Sequence, residues 1–314
     1  MLERAFINTL RSNPEIVGTH GIVLAVSGGE DSMVLLHLVK RFENHLPQNI
    51  VVATLNHGIR RDTIEDVKLV IQYAENCGFP VLVGTLSPKL YSDENTLRNH
   101  RRAFLLEVMN QVRADRIWTA HHADDAVETL VLRISRGAGL MGAAGPRIYE
   151  DPWAKPLLRV MSEEITEYRM RLDIPFREDS TNLLSDYKRN KIRHELLPFW
   201  SELLGYDVRK TLYSSLTSMS VFREFAEEQG NRLLDQLTLE RAPKMLKLRR
   251  KAFLSYSRSS QLVLFYLAVK SVQGEVASRG HLEDALNCVS KIRDRNFGNF
   301  VLKVYREFFV VEVL

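Results

Sequence analysis

The 314-residue chain is 45% hydrophobic and 26% charged, with a formal net charge of +4, the composition of a globular protein long enough for two domains. No apolar run approaches a membrane span, and the start, Met1-Leu2-Glu3-Arg4-Ala5-Phe6, has no apolar leader core, so a cytoplasmic protein is expected. Cys77 and Cys288 stand alone, which excludes a disulfide framework, a cysteine zinc site and a Cys-x-x-Cys redox or iron–sulfur site.

The spacing predicts a short helix over 3–12, then a strand over 22–26 that is apolar throughout, as in a sheet covered on both faces. Ser27-Gly28-Gly29-Glu30-Asp31-Ser32 follows, and a helix runs on from it to about residue 43. Residues 50–56 read as a second buried strand, ending at Asn56 and the corner His57-Gly58-Ile59-Arg60-Arg61. A helix over 63–76 stops at Gly78, and 80–85 form a third strand. The helix over 94–112 carries Arg98, Arg101 and Arg102. A fourth strand over 116–120 leads into His121-His122-Ala123-Asp124-Asp125 and a helix to about residue 135.

Strands alternating with helices predict an α/β fold with a doubly wound, mainly parallel sheet. Ligands bind such sheets at the carboxyl ends of the strands. The 27–32 loop, the Asn56-His57 corner and the His121–Asp125 corner all fall on that edge.

Beyond the sheet, 136–146 is a stretch of small residues suited to a lid. Residues 155–158 are extended, and a helix over 162–172 is expected with Ser162 as its cap and Ile165 and Tyr168 facing inward. Glu178-Asp179-Ser180-Thr181-Asn182 lies in a polar loop, and Arg189-Asn190-Lys191-Ile192-Arg193 opens a helix ending near Pro198. A domain boundary is placed at 204/205, where charge shifts: 18 Lys and Arg against 12 Asp and Glu lie beyond it. Helices over 207–237, 257–273 and 278–290 and a terminal hairpin of 301–304 with 308–313 complete a basic, mainly helical second domain. Lys244, Lys247, Arg249, Arg250 and Lys251 are its densest basic cluster, a solvated patch or a polyanion contact.

Gly28 and Gly29 let the backbone turn sharply and approach a ligand. The helix behind them directs unpaired N–H groups and its positive dipole end at the turn, which makes an anion site. The loop lacks the lysine of a Walker A motif and the glycine spacing of a dinucleotide fingerprint. Asp125 and Glu128 are three apart on one helix face, suiting a capping box, a magnesium contact or a grip on a substrate amine. Arg98, Arg101, Arg189 and Arg193 have the donor fork that phosphate demands.

The six residues 27–32 resemble the Ser-Gly-Gly-x-Asp-Ser loop of ATP pyrophosphatases. With His121-His122-Ala123-Asp124-Asp125-Ala126-Val127-Glu128-Thr129, Asn56-His57-Gly58-Ile59-Arg60, Arg136-Gly137-Ala138-Gly139-Leu140, Lys155-Pro156-Leu157-Leu158 and the two later motifs in order, the chain resembles the tRNA(Ile)-lysidine synthetase family over residues 20–200. Ala126 stands where that family has glutamine, and Leu97 and Ala103 where it has Ala and Tyr.

The resemblance implies a PP-loop catalytic domain over 1–204 and a tRNA-binding domain over 205–314. It implies ATP and Mg2+ as cofactors, and L-lysine and a tRNA(Ile) with a CAU anticodon as partners. Adenylation of the wobble cytidine would precede displacement of AMP by lysine. By carry-over, Ser27, Gly28, Gly29, Glu30, Asp31, Ser32, Asn56 and His57 hold nucleotide, with Asp31 on magnesium. Asp31, Arg101, Asp125, Glu128 and Arg193 are catalytic, and Arg60, Arg98, His121, Asp124 and Arg189 contact substrate. The exposed helical face expected beyond residue 204 could support a homodimer.

Overall fold

The structure, a computed structural model, describes residues 1–56, 63–85, 94–177, 187–273 and 279–313. The chain divides into two compact units: Met1–Leu132 with Pro146–Tyr213, and Arg133–Gly145 with Ser214–Leu314.

The first unit opens with α1 (Leu2–Ser12), followed by β1 (Ile22–Ala25), α2 (Glu30–Arg41), β2 (Ile50–Asn56), α3 (Thr63–Asn76), β3 (Val81–Thr85), α4 (Glu94–Gln111), β4 (Arg116–Trp118) and α5 (Ala123–Ser135). Strand residues alternate between two apolar layers, which is why β1 reads as continuously hydrophobic. Ile22 and Leu24 enter a cluster with Phe6, Leu35 and Ile165, while Val23 enters another with Leu105 and Val108. The Trp118 indole, fully buried, donates its N–H to the Ile16 carbonyl at 2.7 Å and ties the N-terminal segment to the sheet.

α6 (Leu140–Ala143) belongs to the second unit, and the chain then returns to the first through β5 (Tyr149–Glu150), β6 (Trp153–Ala154), α7 (Ser162–Leu172) and α8 (Tyr187–Lys191). A five-residue π turn (Ile192–Leu196) joins α8 to α9 (Leu197–Leu204). The six-stranded sheet has the order β3-β2-β1-β4-β6-β5, parallel except for the β5–β6 pair. β2 flanks β1 on one side and β4 on the other, so the direction of winding reverses between β1 and β4. The crevice at the carboxyl ends of these two strands is the switch point where open α/β sheets take ligands.

Two expectations are corrected here. Ser162 does not cap α7: Met161 is the capping residue, its N–H taken by Glu164 Oε2 at 3.2 Å, and Ser162 spends its own N–H on Asp124. Helical structure also passes Pro198, which sits in the first turn of α9, where a missing N–H costs nothing, and continues to Leu204.

α10 (Val208–Leu237) starts in the first unit, where Val208 and Leu212 pack with Val127, Ile192 and Leu197. The second unit continues with β7 (Thr238–Ala242), β8 (Met245–Arg249), α11 (Arg250–Leu254), α12 (Arg258–Gln273), α13 (Arg279–Lys291), β9 (Arg295–Asn296), β10 (Val301–Val304) and β11 (Phe308–Glu312). The β10–β11 hairpin is present, within a five-stranded antiparallel sheet of order β7-β8-β11-β10-β9. β8 runs through the basic cluster: Leu246 and Leu248 are fully buried in the unit's core, alternating with the more accessible Lys247 and Arg249. Among the described residues no helix is long and apolar enough to cross a membrane.

Candidate active site

The turn after β1 is held together by its own atoms. Gly28 has φ +90°, a left-handed conformation that side chains disfavour, and Gly29 begins α2 in an extended conformation. The Ser32 hydroxyl donates to the Gly29 carbonyl at 2.9 Å and accepts the Ser27 N–H at 3.1 Å, while the two serine hydroxyls lie 3.2 Å apart. From outside the loop, the Arg177 N–H donates to the Gly28 carbonyl at 3.0 Å. The result is a rigid turn in front of the α2 N-terminus, where backbone N–H groups and the helix dipole favour an anion. The Glu30 carboxylate faces α7, taking the Thr166 hydroxyl and Arg169 Nε at 2.9 Å each.

Asp31, on the first turn of α2, meets the corner after β4 through His122. The His122 ring is 3% exposed, with Nε2 3.6 Å from Asp31 and 3.7 Å from Asp125, and Nδ1 3.5 Å from Asp124. Burial alone would strip its proton, but the carboxylates of Asp125, Asp124 and Asp31 hold the imidazole charged, its pKa well above the ordinary value. One buried cation thus joins the phosphate-loop helix to the acids of α5.

Each acid of α5 has a different task. Asp125 closes half of a capping box, accepting the His122 N–H at 3.0 Å on Oδ2, and receives Arg193 Nη2 at 3.1 Å on Oδ1. Burial would raise its carboxyl, yet the His122 charge and N–H and the Arg193 guanidinium hold it below the usual range. Glu128, one turn on and 2% exposed, takes Arg193 Nε at 2.5 Å. Here burial wins over Arg193 and pushes the carboxyl above its usual value. Arg193 sits in the π turn, an irregularity often found at functional sites.

Asp124 meets His122 Nδ1 on one side and ties neighbouring elements together on the other. It accepts the Ser162 N–H at 2.8 Å and Arg209 Nη1 at 3.2 Å, and Arg209 is in turn held by Asp207 and Glu163. Asp124 therefore locks α5, α7 and the start of α10 together. His121 bonds the Thr119 hydroxyl at 2.8 Å, and burial pushes its imidazole down to about 4, so it is neutral at pH 7. Arg101 lies within electrostatic reach of His121, and Arg98 of the half-buried Lys155. Arg102 instead covers the Trp153 ring at 4.4 Å.

The geometry therefore gathers Asp31, Asp125, Glu128 and Arg193 on one edge. It gives the side chains of Glu30 and Asp124 structural partners and leaves Arg98 and Arg101 exposed on α4. Asn56 ends β2, and Arg189 is half-buried on α8. His57, Arg60 and the 178–182 motif lie outside the described residues. His122 is absent from the candidate list above. Its only sequence signal is its place beside two acids, because the partner that gives it a role, Asp31, lies on another helix.

A mainly parallel sheet, a glycine turn at its switch point and a helix N-terminus facing buried charges give the architecture of a nucleotide-binding α/β domain. Residues 2–200 match the PP-loop domain family, and the chain belongs to that family. It is 34% identical over 209 residues to the tRNA(Ile)-lysidine synthase of Thermosipho africanus, covering 65% of this chain and 49% of that protein. It is 28% identical over 291 residues to the tRNA(Ile)-lysidine synthase of Clostridium tetani, covering 90% of this chain and 62% of that one. The chain thus spans between about half and three fifths of the length of these curated relatives. Among solved structures, the U34-tRNA thiolase of Methanococcus maripaludis is similar in fold, with a TM-score of 0.58 and 15% identity, over 71% of this chain and 78% of that one.

Proposed function

We propose that the protein uses ATP to adenylate the wobble cytidine of a tRNA(Ile) with a CAU anticodon and joins L-lysine to it, as a ligase forming a carbon–nitrogen bond. ATP use follows from membership of the PP-loop family. The observation that carries the rest is the pairing, on one sheet edge, of an anion-binding loop with the acids Asp125 and Glu128.

In the first step the cytidine 2-oxygen attacks the α-phosphorus of ATP and pyrophosphate leaves. In the second, the lysine amine attacks C2 of the base, the C2–O bond breaks, and AMP departs. The amine sheds a proton as it attacks, and an acid of α5 takes it. Glu128, raised by burial, is suited to that work, and Asp125, held ionised, to gripping a substrate ammonium. Arg193 and Arg101 would offset charge on the adenylate.

Among the described residues no group of three or more His, Cys, Asp or Glu side chains is arranged to hold a metal ion. Magnesium needs only one or two carboxylates when phosphates and water complete its shell, and the partly exposed Asp31 carboxylate fits that need. Magnesium there would supply charge to screen the phosphates. Residues 205–314, with their basic surplus, are the proposed tRNA-binding part. A sulfur relay is not supported by the sequence, whose two cysteines, Cys77 and Cys288, form no Cys-x-x-Cys pair.

The test is incubation of the full chain with ATP, Mg2+, labelled lysine and tRNA transcripts carrying CAU anticodons. Label is expected in the isoleucine transcript, with one AMP released per lysine. Pyrophosphate release driven by another small substrate, with no label in any RNA, would overturn the reading.

A further inference from the structure

Arg193 binds the two acids that the proposed function assigns to the nucleophile. Its Nε is 2.5 Å from Glu128 and its Nη2 is 3.1 Å from Asp125. Glu128 is almost wholly enclosed, its side chain 3% exposed, while the Arg193 side chain is 40% exposed. The cation is the accessible member of the pair and the carboxylate the fixed one. Arg193 is also within electrostatic reach of Asp31 on the loop helix.

A guanidinium and a substrate ammonium carry the same charge and want the same oxygens, so they exclude one another at Glu128. An enclosed carboxylate left without a cation is strongly destabilised. The acids therefore exchange one cation for another rather than stand open. Release of Arg193 becomes favourable when a phosphate in the loop gives the guanidinium a bidentate partner of its own.

We propose that Arg193 is a latch on the amine subsite, closed on Asp125 and Glu128 until nucleotide phosphate draws it toward the loop, so that the amine enters only after ATP. This rests on the reading of lysine as nucleophile and adds the order of substrate entry. Linkage makes the coupling reciprocal: lysine must tighten nucleotide binding by the factor by which nucleotide tightens lysine binding.

Equilibrium dialysis of labelled L-lysine against the full chain tests the latch, alone and with α,β-methylene-ATP and Mg2+. The analogue should tighten lysine binding about tenfold or more. Without nucleotide, Arg193→Gln should bind lysine about tenfold more tightly than wild type, and the analogue should add little to it. Equal lysine affinity of the wild type with and without the analogue, while lysine still enters tRNA, overturns the latch alone. That comparison needs no variant, so it stands even where Arg193→Gln fails to fold. Lysine bound in neither state overturns the latch and the substrate reading together.

Discussion

The two corners of the catalytic edge are built on opposite principles. The corner after β1 is local: Ser27, Gly29 and Ser32 satisfy one another within five residues of chain. The corner after β4 is assembled from a distance. Glu128 takes its partner from 65 residues away, and Asp124 from 38 and 85 residues away. The first is a cradle of backbone and serine hydroxyls that closes on itself without a charged side chain. The second is a network of buried charges in which every member leans on another, and networks of that kind lose the most when one member goes.

The largest contrast is expected in catalysis. Glu128→Gln and Asp125→Asn keep shape and remove charge. Each should lower lysine transfer by roughly two to four orders of magnitude, the range for loss of a proton-transferring or charge-positioning group. Binding of α,β-methylene-ATP should change far less than transfer does, because the hydrogen bonds that close the loop do not involve these acids. Single-turnover transfer of labelled lysine, with circular dichroism to follow folding, measures this. Unchanged transfer in both variants would return the acids to helix capping and remove the distinction between the corners.

The second contrast is in stability. Asp124→Ala strands the Ser162 N–H and takes one partner from Arg209. It should cost about 2–3 kcal/mol in urea unfolding, less than loss of a wholly isolated buried pair because Asp207 and Glu163 still hold Arg209. The cost should also depend on pH. Burial alone would raise the Asp124 carboxyl, but the His122 charge and the Ser162 N–H hold it well below the usual range. A carboxyl lowered in the folded state stabilises fully above its unfolded pKa, near 4, and loses that contribution as pH falls. Wild type should therefore lose stability as pH drops below about 4 more steeply than Asp124→Ala. Parallel curves for the two proteins would show that Asp124 is not part of the lock.

The same difference explains what the sequence discloses. The loop, the alternation of strands and helices, and the sheet edge are all written in neighbouring residues, through glycine placement and apolar periodicity. Arg193 is legible as a phosphate-type arginine, but not as the present partner of Glu128, because periodicity carries no information on charges brought together by a fold. Asp124 and Glu30 read as site residues for the same reason: their neighbours in sequence are functional, and their partners Arg209, Thr166 and Arg169 are distant. In β8 the strand signal was present in the alternation of Leu246 and Leu248, but Lys247 and Arg249 made it look like a basic patch.

The smallest effect should come from the loop itself. Ser27 is exposed, and its hydroxyl sits 3.2 Å from the Ser32 hydroxyl and 3.4 Å from the Gly29 nitrogen, the longer of which is a weak bond. Ser27→Ala leaves the shorter bonds of Ser32 to Gly29 and to the Ser27 backbone intact. It should cost about 0.5–1 kcal/mol in unfolding, the net worth of one ordinary hydrogen bond. Its effect on nucleotide affinity should be greater than its effect on lysine affinity, because the hydroxyl lies at the anion site and far along the network from Glu128. Titrating Ser27→Ala with α,β-methylene-ATP and, separately, with lysine in the presence of saturating analogue separates the two. Equal losses in both would mean that the local corner and the long-range corner act as one unit, with His122 transmitting what happens at either end.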